Sequence, residues 1–219
     1  MPRSDSTRLT LLHLLRIFEA RKLKIAMLCV ALPALLFYGA SVLILTGSGF
    51  TLREILRDPA QQTGLSSFLG FVSNIGVWLW VSSVAICCFS LLAGAARGRS
   101  HNTELLILLG LLSLLLAVDD FFLLHERYVY QKGIFLFYAV CAMSLLLRHY
   151  RRIIEIDGFS FMLSGLLLAS SIIIDINQRK IPLDYAQVQL LEEGCKFVGA
   201  ALWLFFCGRI AAQRVSPEK

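Results

Sequence analysis

Six apolar runs, each close to the length needed to cross hydrocarbon, leave this chain few folds to choose from. They are Ile25 to Thr46, Phe68 to Ala95, Leu105 to Glu126, Gly133 to Leu147, Phe159 to Asp175 and Val188 to Ile210. Crossing about 30 Å of hydrocarbon at about 1.5 Å per residue takes roughly 20 residues. Backbone polar groups find no water there, so each run has to bond internally as a helix. The expected fold is an all-α, polytopic helical bundle of six spans. A mean hydropathy of +0.71, with 57% hydrophobic and 16% charged residues, excludes a soluble domain of ordinary composition.

The net charge of +6 reads as a sidedness signal. With the N-terminus inside, 14 Lys and Arg fall on the cytoplasmic side, 6 fall outside, and Lys196 is left within the membrane. Both termini are therefore expected in the cytoplasm, and a nucleic-acid partner is excluded. The chain is read as three parts: a cytoplasmic amphipathic segment over 1–24, a transmembrane domain over 25–212 and a tail over 213–219. In the first, Leu11, Leu12, Leu14, Leu15 and Phe18 alternate with polar residues, as in a helix lying on a leaflet. The first apolar run lies too far from Met1 to read as a cleaved signal. The expected location is a membrane, crossed many times, and the inner (plasma) membrane if the source is bacterial. All six cysteines fall in spans without a C-x-x-C pair, which argues against disulfides and a zinc ribbon. Two loop motifs look like helix starts: T-L-R-E from Thr51, and Asp184 with Gln187.

Against this background the charges inside the spans stand out: Asp119 and Asp120 in the third, and Glu192, Glu193 and Lys196 in the sixth. A charge in hydrocarbon costs at least a few kcal/mol, so it persists when paired, solvated or needed for chemistry. Counting rise from the outer helix ends places all of them about 6 to 12 Å below the outer surface. Ser73 and Asn74 in the second span fall at a similar depth, and Asp175 closes the fifth at that face. Lys196 follows Glu192 by four residues and Glu193 by three, so it is expected to pair with one of them. Asp119 and Asp120 are then left to a cation, a shared proton or hydrogen bonds from Ser73 and Asn74. His125 and Glu126 are read near the interface, as solvated residues or as ligands of a divalent metal ion together with Asp175. Trp78, Trp80 and Trp203 are read as packing.

These segments resemble the CREST superfamily of membrane hydrolases and receptors, which includes the alkaline ceramidases. The carriers are S-N at Ser73 and Asn74, D-F-F-L-L-H from Asp120 to His125, and E-E-G-C-K-F-V-G-A-A-L-W-L from Glu192. In the last motif Glu192 and Lys196 stand where that family has two histidines. The resemblance implies a lipid-directed hydrolase with a metal near one membrane face. Its zinc, held by three histidines, would here be lost or replaced by an ion preferring oxygen ligands, such as Mn or Fe. The leading expectation is a membrane-embedded hydrolase or lipid-modifying enzyme, with Asp119 or Asp120 as base or cation ligand and Lys196 stabilising negative charge. A proton- or cation-coupled transporter and a structural subunit of a membrane complex are the other classes.

Overall fold

The computed structural model describes residues 27–56, 59–66, 68–96 and 102–215. The amphipathic segment over 1–24 lies outside them. Every regular element among the described residues is helical, and the chain divides into two units, Met1–Leu69 and Gly70–Lys219.

In the first unit a π-helical turn, Met27–Ala31, leads into α1, Leu32–Gly47. Apolar all round, α1 buries no residue; Phe37, for example, is 76% exposed. It gives way to α2, Leu52–Leu56, and α3, Pro59–Thr63. The T-L-R-E motif does form a capping box: Glu54 Oε2 accepts the Thr51 N–H at 2.8 Å, and Thr51 Oγ1 accepts the Glu54 N–H at 3.3 Å.

The second unit holds α4 (Phe71–Ala96), α5 (Thr103–Phe122), the single turn α6 (Leu124–Arg127), α7 (Gln131–Asn177) and α8 (Tyr185–Val215). Four of these, α4, α5, α7 and α8, are long and apolar enough to cross a membrane. Their outward side chains are apolar too: Phe159 is 76% exposed, and Leu92 and Leu190 are 74% exposed. A shell of that kind is stable against lipid and not against water. The protein is an integral, multi-pass membrane protein.

Helix α7 departs from two separate helices joined by a short loop. Straight, 47 residues would extend about 70 Å. Instead Gln131 Nε2 donates to Asp175 Oδ2 at 2.5 Å, so the two ends of α7 meet and the chain reverses between them. The reversal occurs at two residues that leave helical geometry, His149 (φ −119°, ψ 19°) and Asp157 (φ −170°, ψ 72°). Between them 150–156 stays helical and buries Ile153 and Ile156. Asp157 then caps the returning arm, its carboxylate accepting the Ser160 N–H at 3.1 Å and the Ser160 hydroxyl at 2.9 Å.

Lipid gives helices no hydrophobic reason to associate, so close packing and hydrogen bonds hold the bundle. Small and hydroxylated residues supply both. Ser164 Oγ donates to the Gly199 carbonyl at 2.7 Å, joining α7 to α8. A Cβ on Gly199 would lie 2.9 Å from Leu168 Cγ, so only glycine permits this approach. Trp203 donates its indole N–H to Ser113 Oγ at 2.8 Å, joining α8 to α5. Phe161 packs edge-on to Phe206 with centroids 5.0 Å apart.

Candidate functional site

The site is shaped by one unusual backbone residue. The apolar pattern predicts that α5 runs on to Glu126, but it ends at Phe122 because Leu123 adopts the left-handed conformation (φ 54°, ψ 42°). A leucine there is strained by about 1–2 kcal/mol. The break turns α6 back over the end of α5, where Asp119 holds it. Asp119 Oδ1 accepts the His125 backbone N–H at 2.9 Å, and Oδ2 lies 2.9 Å from the His125 ring Nδ1. Asp119 is 3% exposed, so nearly all its interactions are with protein. Its carboxylate, hydrogen-bonded to the ring, raises the His125 pKa above the ordinary imidazole value against the opposing effect of burial.

The adjacent carboxylate meets different partners. Asp120 Oδ2 accepts the Trp80 indole N–H at 2.9 Å, and Oδ1 lies 3.2 Å from Lys196 Nζ. Lys196 also reaches Glu193 at 3.6 Å. The ammonium is thus shared between a carboxylate of its own helix and one from α5. The expected pairing with Glu193 is present, while Glu192 instead accepts from Gln189 at 3.2 Å. Asp175 takes hydrogen bonds from Gln131 and Gln178.

These groups line one end of a cavity of about 390 Å³. Asp119, Asp120, His125, Asp175, Glu192 and Lys196 border it on the polar side; Leu112, Phe161, Leu168 and Trp203 are among the residues that make the remainder apolar. Tyr138 adds a hydroxyl beside Asp119. Ala139, Met143, Met162 and Leu166 line the cavity and are also exposed at the bundle surface, so it opens sideways between the two arms of α7.

Other residues that stand out in the sequence lie elsewhere. Ser73 borders a shallow recess with Glu193 on the other side of Trp80 and Lys196, and Asn74 is exposed. Neither supplies the hydrogen bonds expected for Asp119 and Asp120. Trp80, two turns further along α4 on the face of Ser73, supplies the bond to Asp120 instead. Reading Trp80 and Trp203 as packing alone misses their N–H groups, which need an acceptor when buried. Sequence reasoning also passes over Gln131 and Tyr138, because neither is charged. Glu126, with its side chain 55% exposed, stands 3.8 Å from His125 Nε2.

Among the described residues, the three that could converge on a metal ion are Asp119, Asp120 and His125, with ligand atoms within 4.8 Å of one another. The fit is poor. All four oxygens of the two carboxylates already face a donor or cation of the protein, so an ion would have to displace Lys196 or the imidazole. The set expected from sequence, His125 with Glu126 and Asp175, brings Glu126 near His125 but leaves Asp175 with its two glutamines.

A family model matches residues 25–210, most of the chain. The chain belongs to that family, described as a domain of unknown function (DUF8692). No curated protein and no solved structure matches it. The match spans α1 and the cavity-bearing unit of this DUF8692 chain up to residue 210.

Proposed function

We propose that this protein is a membrane-embedded hydrolase acting on a lipid-phase amphiphile. The carrying observation is a cavity that is ionic at one end, apolar at the other and open sideways between the arms of α7. At about 390 Å³ it lies low in the range of about 300–1,000 Å³ for small-molecule pockets, which suits one chain of a lipid. The Asp119 carboxylate accepts from Nδ1–H of His125, fixing the tautomer that leaves a lone pair on Nε2. In this reading Nε2 takes a proton from water as the water attacks a substrate carbonyl, and returns it to the leaving group as the tetrahedral intermediate collapses and the acyl bond breaks. Lys196 has three N–H donors; Asp120 at 3.2 Å takes one and Glu193 stands off at 3.6 Å as an ion-pair partner, which leaves a donor for a developing oxyanion. The resemblance to the CREST hydrolases supports the architecture, a helical membrane bundle with a polar site near one face. The donor set, with one histidine where those proteins have three, does not favour zinc.

The same proposal takes the two arms of α7 as separate crossings, which with α1, α4, α5 and α8 makes six spans. The 14-to-6 division of basic residues supports both termini in the cytoplasm. The cavity's polar end then faces the non-cytoplasmic leaflet. Residues 1–24 are a cytoplasmic interfacial segment in this scheme, 25–212 the catalytic transmembrane domain and 213–219 a tail.

Photolabelling tests the cavity's role. Protein in phosphatidylcholine vesicles is irradiated with a fatty acyl amphiphile bearing a diazirine at its chain end. Adducts on the buried residues Leu112, Phe161 and Trp203 are expected. Adducts confined to outward residues such as Leu190 and Phe205 would overturn the reading.

A further inference from the structure

The cavity's polar end carries more negative charge than its own cations balance. Asp119, Asp120, Asp175 and Glu192 border it, against the ammonium of Lys196 and the imidazole of His125. Both of these are already committed: His125 lies against Asp119, and Lys196 stands between Asp120 and Glu193. What remains for Asp175 is a pair of neutral amides, from Gln131 and Gln178, and for Glu192 the amide of Gln189. Among the described residues, neither carboxylate has a cationic side chain within ion-pair distance. The two are also close enough to act on each other electrostatically across α7 and α8. Facing carboxylates at the edge of hydrocarbon repel, and amide dipoles offset only part of the charge. A cation placed between them turns that repulsion into attraction.

The shape of the cavity decides which cation. Beyond the carboxylates its wall is apolar, and it opens toward lipid between the arms of α7 at Ala139, Met143, Met162 and Leu166. A ligand arriving by that route comes from the bilayer and brings an aliphatic part with it. An inorganic ion would make no use of the apolar chamber, and the head of an anionic lipid would be repelled by Asp175 and Glu192. A protonated amine on an aliphatic chain satisfies both ends.

We propose that Asp175 and Glu192 are specificity-determining residues that select a primary ammonium, so that the cavity takes a single-chain amphiphile with a cationic head. The ammonium donates to both carboxylates, as Lys196 serves Asp120 and Glu193, and the chain lies along Leu112, Phe161 and Trp203. The inference rests on the reading of the cavity as a site for a lipid-phase amphiphile and adds the chemistry of the head. In the hydrolytic scheme the ammonium belongs to the same head as the carbonyl presented to His125.

Three photoprobes that differ only in the head test it: a long-chain primary amine, the matching alcohol and the matching carboxylate, each with a diazirine at the chain end and none of them hydrolysable. Each is irradiated with the protein in phosphatidylcholine vesicles at neutral pH. Adducts on Leu112, Phe161 and Trp203 are counted relative to adducts on the outward residues Leu190 and Phe205, which corrects for partitioning. The amine is expected to label the cavity about tenfold more than the alcohol, the effect of a charge-assisted hydrogen bond, and the carboxylate less than either. Asp175→Asn and Glu192→Gln should each reduce that preference, while Glu155→Gln, at the opposite end of α7, should leave it unchanged. The comparison of heads on the unaltered protein decides the matter even where a variant does not fold. Cavity labelling by the alcohol or the carboxylate as strong as by the amine would overturn this proposal and leave the lipid site standing. A preference that survives in folded Asp175→Asn and Glu192→Gln proteins would overturn it as well. Loss of the amine's preference in millimolar calcium chloride at constant ionic strength would also overturn it, by assigning the carboxylates to an inorganic cation. Outward adducts alone from all three probes would refute the lipid site itself, and this proposal with it.

Discussion

Lys196 shows how far one contact between helices alters the energetics of a buried charge. Its spacing from Glu193 is visible in the sequence, because residues three apart on a helix face each other. Its closer partner, Asp120, is not, because no periodicity relates the registers of α5 and α8. The Asp119–His125 pair is hidden for another reason: nothing in the run V-D-D-F-F-L-L-H marks Leu123 as a left-handed residue. With continuous helical phase, Asp119 and His125 would not meet. Removing the lysine alone should leave Asp120 without its cation in a half-enclosed site. Lys196→Met is therefore expected to cost about 3–5 kcal/mol, the range for breaking a buried pair. Lys196→Met combined with Asp120→Asn should recover much of that loss. Thermal unfolding in detergent checks the order, and equal damage from the single and double variants would refute the pairing.

At the scale of elements, the apolar runs locate the helices well because hydropathy depends only on composition over a turn or two. Their ends are less legible. The segment HYRRIIEIDG is polar enough to read as a loop, yet 150–156 is helical because Ile153 and Ile156 find buried positions. The two arms of α7 are legible as the fourth and fifth apolar runs, but the contact of the returning arm with α8 is visible in the sequence only as small residues without an evident purpose. Gly199 is the clearest case. Gly199→Ala would push a methyl group to 2.9 Å from Leu168 Cγ and separate α8 from the returning arm. Such overpacking costs about 1–3 kcal/mol. Gly194→Ala, on the same helix with nothing within 4 Å of the added carbon, should be neutral or mildly stabilising. Comparison of the two thermal midpoints checks the claim.

For the whole molecule, the apolar exterior and the four long helices place the chain in a bilayer, and its basic residues orient it in the scheme proposed above. A cysteine placed at position 180 should react with a membrane-impermeant reagent in intact cells, while one at position 151 should stay protected; the reverse pattern would invert the orientation. What the sequence makes legible of the site is its charge, because ionisable residues in apolar runs are rare enough to notice. The cavity is not legible, since its apolar wall is made of leucines, phenylalanines and methionines that look like any other lipid-facing residues. Hydrolysis by the Asp119–His125 pair is the central claim, and the most direct measurement of it works whatever lipid is the substrate. Purified protein in vesicles of total membrane lipid is incubated in ¹⁸O-labelled water, and the released acids are analysed by mass spectrometry. The account predicts one ¹⁸O atom in a released acid at early times, with the rate reduced about 10²–10⁴-fold in a folded His125→Asn variant and also lowered by Asp119→Asn. Absence of label, or labelling that both variants leave unchanged, would contradict it.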